Sequence, residues 1–251
     1  MKANAVIASI FLTITPAFGQ TVFRSDEHHF SVDVPAGWER SEKVLNFTNE
    51  VMAERVPDAK YSYFAAFVPS ASVDEHPPYI LFQFSPIPMS GTTYEELEQE
   101  FGGADMQAVA SEKSASIKDL VGELEFGRPV LDRANERFYL RLKAKGGAAG
   151  SFDAVCVGFL TSDGVVQLNS YAPEGSGADP AAQLQPFLDG FRLDPGARFV
   201  PAPSGQSVNK VVRKGVGGAF RGGIIGAGVG AVVGLLVYIL RNQKKGGAWG
   251  S

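Results

Sequence analysis

The chain has 251 residues, 45% apolar and 20% charged, enough for one mid-sized domain with accessory segments at its ends. Its net charge of −4 joins two unlike parts: residues 20–206 carry −12, residues 207–251 carry +7 with no acidic group, and Lys2 supplies the remaining +1. An acidic domain repels phosphates, which excludes nucleic acid as its partner, while a basic, apolar tail suits a membrane surface.

The N-terminus has three parts: Lys2, an apolar run from Ala5 to Ile14 closed by Pro16, and small residues Ala17 and Gly19 ahead of Gln20. This pattern predicts a signal peptide over 1–19, and the run is shorter than the roughly 20 residues of a spanning helix. An extracytoplasmic domain is expected over 20–194. Phe30-Ser31-Val32-Asp33-Val34 alternates as a strand, Pro35-Ala36-Gly37 turns it, and Trp38 begins a return strand. Tyr61 to Val68 is apolar on both faces, and Tyr79 to Phe84 is a further strand. Thr93 with Glu96 three residues on is a capping box, opening a helix through Glu100 with a second piece as far as Leu120. Phe138, Leu140 and Leu142 alternate with Tyr139, Arg141 and Lys143 as a strand with one wet face. Phe152 to Leu160 is two-sided, and a two-residue Asp163-Gly164 turn predicts a hairpin into Val165 to Tyr171. Asp179 as N-cap and Pro180 in the first turn open a last helix that ends near Phe187 to Phe191, with Pro186 implying a kink or a late start.

Strands apolar on both faces need cover on both, so the expected class is α+β: a mainly antiparallel sheet with helices on its faces, an α/β/α-type sandwich. Residues 195–221 read as a Pro/Gly/Ser linker followed by a basic juxtamembrane segment. Residues 222–240 are 19 in a row without a charge, about 29 Å of helix, which predicts a transmembrane helix followed by a short basic tail over 241–251. With a removed signal peptide the domain lies on the periplasmic side of a single-pass chain. Gly218, Gly222, Gly226, Gly230 and Gly234 recur every four residues, a stripe on which helices can self-associate. Lys210, Arg213, Lys214 and Arg221 stand where lipid headgroups would be.

The early Phe30 to Trp38 segment, a mid-chain helix, a long hairpin and the closing Phe187-Leu188-Asp189-Gly190-Phe191 helix end resemble the PsbP-like fold group, over residues 22–193. That group includes extrinsic photosystem subunits, a eukaryotic nuclear-import factor and bacterial exported domains. The resemblance implies a domain that binds and stabilises other proteins, here an envelope partner, without cofactor or catalysis. It transfers no residue set.

Motifs for a serine nucleophile elbow, a Walker loop and a zinc-protease helix are missing. Asp26-Glu27-His28-His29 is the most suggestive cluster. Extended, it would aim His28 and His29 at opposite faces, so a metal site would need a third ligand such as Asp74, Glu75 or His76. Lone Cys156, in a two-sided strand, is expected to be a buried inert thiol. The sequence therefore predicts a non-catalytic binding or assembly module. The alternatives are an enzyme or metal-binding protein using His28, His29 and His76, or a chiefly structural, helix-associating membrane protein.

Overall fold

The computed structural model describes residues 21–55, 62–71, 78–103, 122–147 and 150–203. The central layer is an antiparallel sheet built from β3 (Trp38–Arg40), β4 (Ser62–Pro69), β5 (Tyr79–Pro86), β6 (Gly122–Phe126), β7 (Val130–Asp132), β8 (Arg137–Gly147), β9 (Gly150–Leu160) and β10 (Gly164–Pro173). Its order is β3-β4-β5-β10-β9-β8-β6, with β7 also pairing on β8. A second sheet of order β1-β2-β11 joins β1 (Thr21–Ser25), β2 (Phe30–Val34) and β11 (Phe191–Leu193). Among the described residues the helices are α1 (Glu42–Arg55), α2 (Tyr94–Gly103) and α3 (Pro180–Gly190).

Each face of the large sheet has its own core. On one, Leu45, Val51 and Met52 of α1 and Leu97 and Phe101 of α2 pack with Leu81, Leu140 and Leu142. On the other, Phe30 and Val32 of β2, Phe191 of β11 and Leu184 and Phe187 of α3 pack with Phe67, Phe82, Val157 and Leu168. The class is α+β and mainly antiparallel, as the two-sided strands require, with one cover shared between a helix and a small sheet.

Local signals set several boundaries. Thr93 N donates to Glu96 Oε2 at 3.0 Å and Glu96 N to Thr93 Oγ1 at 3.2 Å, the reciprocal bonds of the capping box. Asp179 accepts from Ala181 N at 3.0 Å, and α3 runs from Pro180 through Pro186, so the helix does not start late. α1 was not expected. Ser41 starts it, its hydroxyl accepting from Val44 N at 3.3 Å, and Leu45, Thr48, Val51 and Met52 form its buried stripe.

Three pairings differ from the sequence reading. Gly37 turns at φ 83 as expected, but β3 pairs with β4 rather than returning along β2, because β1 and β11 occupy both edges of β2. A register shift between Tyr63 and Ala65 puts Tyr63 in the core with Ala66, and Phe64 against the one that holds Ala65 and Phe67. The hairpin turn after β9 is Thr161-Ser162-Asp163. Gly164 lies inside β10 without positive φ, and a Cβ there would press on the Ser85 carbonyl oxygen.

The segment after β11, expected to be free linker from residue 195, is docked over its described length. Ser162 N donates to Ala197 O at 2.9 Å, Phe199 is buried edge-on to Tyr94 at 5.5 Å, and Ala202 N donates to Thr92 O at 2.9 Å. Two buried apolar side chains hold it there. The signal peptide, the helical piece to Leu120, the juxtamembrane segment and the helix over 222–240 lie outside the described residues. Among those described, no helix is long and apolar enough to cross a membrane.

Candidate functional site

His28 and His29 point apart. Asp26 to His29 is a turn, not an extended strand, with His29 at φ 56, so the expected alternation of faces does not apply. His28 is turned inward, its ring 4.5 Å from both the Phe64 and the Phe84 ring centroids and near-parallel to the latter. Burial there lowers the His28 pKa from its ordinary value, with Glu27 opposing and His29 adding a smaller effect in the same direction. His29 is exposed. His76, Asp74 and Glu75 lie outside the described residues, as do Lys210, Arg213, Lys214, Arg221 and Gly218, Gly222, Gly226, Gly230 and Gly234. Among the described residues no three His, Cys, Asp or Glu side chains are placed to hold a metal ion.

The acidic face of α2 is used structurally. Arg133 reaches Glu98 through two nitrogens at 2.6 and 2.8 Å and Glu95 at 3.5 Å, with its guanidinium 5.4 Å from the Tyr94 ring centroid. A clamped, solvated helix face accounts for these carboxylates.

The structure assembles a cluster that sequence reasoning missed. Gln83 and Gln167 are directly opposite on β5 and β10, and Asn169, two residues on, faces Leu81 on β5 and Cys156 on β9. All three amides are 0–1% exposed, in the middle of the sheet on the face covered by α1 and α2. Gln83 Nε2 donates to Ser85 Oγ at 3.0 Å and Cys156 Sγ to Gln167 Oε1 at 3.5 Å. Gln83 Oε1, Gln167 Nε2 and both polar atoms of Asn169 find no partner among the described residues. Tyr79 and Tyr171 stack at 5.0 Å one step further along the same strands, and burial raises the Tyr79 pKa. Burial likewise pushes the Cys156 thiol up, so the thiol is inert, as the sequence implied. Chemically the cluster is neutral, able to give and accept hydrogen bonds but not to ionise near neutrality.

Among the described residues β1 and β11 end the small sheet and β3 and β6 the large one; Val22 on β1 is 58% exposed, and Glu123 and Glu125 on β6 are exposed.

No family model and no curated protein matches the chain. Among solved structures it is similar to cyanobacterial PsbP (CyanoP) from Synechocystis sp. PCC 6803, at 11% identity and a TM-score of 0.44, over 72% of this chain and 98% of that one. It is also similar to the Ran-binding protein Mog1p of Saccharomyces cerevisiae, at 9% identity and a TM-score of 0.38, over 70% and 95% of the two chains. The first of these is a PsbP, the group that residues 22–193 resemble in sequence.

Proposed function

We propose that the chain is a membrane-anchored binding or assembly module without catalytic activity. In this reading the signal peptide over 1–19 is removed and the domain from residue 20 lies on the periplasmic side. The helix over 222–240 anchors it and self-associates through Gly218 to Gly234, and Lys210, Arg213, Lys214 and Arg221 meet lipid headgroups. The observation that carries the non-catalytic part is the divergence of His28 and His29. His28 is spent between Phe64 and Phe84 while His29 faces water, so the cluster richest in reactive side chains supports a turn rather than a site. The terminal strands β1 and β6, with exposed side chains, are places where a partner chain could add a strand.

The test is photo-crosslinking of the full-length chain in intact membranes, with the crosslinker at Val22, Glu123 or Val130, all exposed, and mass spectrometry of the products. A distinct envelope protein joined reproducibly at one of the edges is the expected result. Products containing only this chain would overturn the binding module in favour of a self-assembling anchor. Unchanged oligomer size after Gly226→Ile with Gly230→Ile would remove the glycine-stripe part alone.

A further inference from the structure

We infer that Gln83, Gln167 and Asn169 form an internal binding site for a small, neutral molecule that both donates and accepts hydrogen bonds. The site is separate from the edges that the proposed function uses. Four amide atoms, the acceptors Gln83 Oε1 and Asn169 Oδ1 and the donors Gln167 Nε2 and Asn169 Nδ2, lie on one face of two paired strands with no partner among the described residues. Each residue is at most 1% exposed. Burying an amide without a partner costs about 1–3 kcal/mol by mutational measure, so four unmatched atoms at the centre of a sheet would be a heavy penalty. Apart from Ser85, large apolar and aromatic side chains fill the rest of that face of β5 and β10, and Val, Leu or Met would fill these positions without penalty. The amides are explained by something that they hold.

The chemistry of the occupant follows from the donor set. Two donors and two acceptors match a molecule with both functions, and the flanking Ser85, Cys156, Leu81 and Tyr79 bring no charge, so an ion would lack a counter-charge. Its size follows from the ladder. Gln83 and Gln167 are on neighbouring strands, about 4.8 Å apart, and Asn169 stands two residues, roughly 6.7 Å, further along. That span fits two bridged water molecules or one small primary amide. Both share the same chemistry, and they differ in whether an added amide displaces what is there.

The experiment is a high-resolution structure of the full-length, detergent-extracted chain, alone and with acetamide, beside thermal melting of the wild type and of Asn169→Leu in an acetamide series. Density bridging Gln83, Gln167 and Asn169 is the expected result. If solvent is the occupant, water-sized peaks persist in acetamide and melting is unmoved by it. If an organic amide is the occupant, acetamide replaces the peaks. The wild type then melts roughly 3–6 °C higher for each tenfold excess over its Kd, a response lost in Asn169→Leu. Direct Gln83–Gln167 pairing with Asn169 bonded to protein atoms, and nothing between them, overturns the proposal. Because that result is read on the unmutated chain, it holds even if the variant fails to fold.

Discussion

Replacing Gly164 with alanine tests how closely β5 and β10 approach at their turn end. Backbone entropy alone favours the change, since glycine inside a strand is worse than alanine by about 0.5–1 kcal/mol. Against it, a Cβ on Gly164 would press on the Ser85 carbonyl oxygen and come within 3.1 Å of both Ile87 N and the Phe84 ring. The first two of these are backbone atoms of a segment pinned by Ile87 N donating to Asp163 O at 3.2 Å, so no rotamer change relieves the overlap. Overpacking costs about 1–3 kcal/mol, and with the backbone unable to yield the upper end applies. After subtracting the entropic gain, the net loss is about 2 kcal/mol, a melting temperature lower by roughly 4–8 °C for a chain of this size. Gly158→Ala is the comparator. There a Cβ would meet the Phe138 ring and Val165 Cγ1 at 2.9 Å, side-chain atoms that can shift, although Phe138 is fully buried and packed on Phe101 at 5.4 Å. Near-ultraviolet circular dichroism through thermal unfolding of the full-length protein reads both. An alanine at 164 that melts at or above the wild type, or that costs less than the one at 158, would refute the close-approach reading.

His28 makes stability depend on pH. Its folded pKa lies below the unfolded value of about 6.5, so the unfolded chain takes the proton first. The contribution is present above about pH 6.5 and is lost as pH falls through the folded pKa. The urea midpoint is therefore expected to drop on acidification through that window, and His28→Gln to flatten the drop. Cys156 is expected to resist a thiol reagent in the folded protein and to react only at the rate of unfolding, read by labelling with and without urea. Thr93→Ala removes the hydroxyl that accepts from Glu96 N and is expected to cost about 1 kcal/mol in chemical unfolding, whereas Glu96→Gln, which keeps an acceptor oxygen, costs less.

Features fixed within a few residues were legible in the sequence. The Thr93/Glu96 box and the Asp179-Pro180 start depend on side chains that bond their own helix's first turn, so spacing alone reveals them. α1 shows the limit of that signal. Ser41 caps it as well as Thr93 caps α2, but Asn46, Thr48 and Asn49 are weak helix formers and dilute its apolar stripe. What holds it is tertiary: Asn49 Nδ2 donates to Tyr63 O at 3.1 Å, tying the helix against β4. The separation of β2 from β3 is tertiary too. An apolar strand, a Gly37 turn and a short following strand read locally as a hairpin. Only β11, 157 residues beyond Val34 in the chain, takes the edge that β3 would have used.

The amide cluster was hidden for a related reason. Val165 to Tyr171 reads in the sequence as the return strand of a hairpin, and that local pattern does not say what Gln167 and Asn169 face. What decides it is the place of β10 in the sheet, between β5 and β9 and under the α1 and α2 layer, which no local pattern encodes. One clue was present. Gln83 sits on the face of β5 that also carries Tyr79 and Leu81, so two strands each place an amide among large apolar side chains. The Asp26 to His29 cluster is another place where local pattern does not fix the geometry. Four polar residues in sequence suggested a site, but the turn with His29 at φ 56 sends His28 into the aromatic packing of Phe64 and Phe84. Residue type alone showed neither the turn that buries His28 nor the core that encloses three neutral amides.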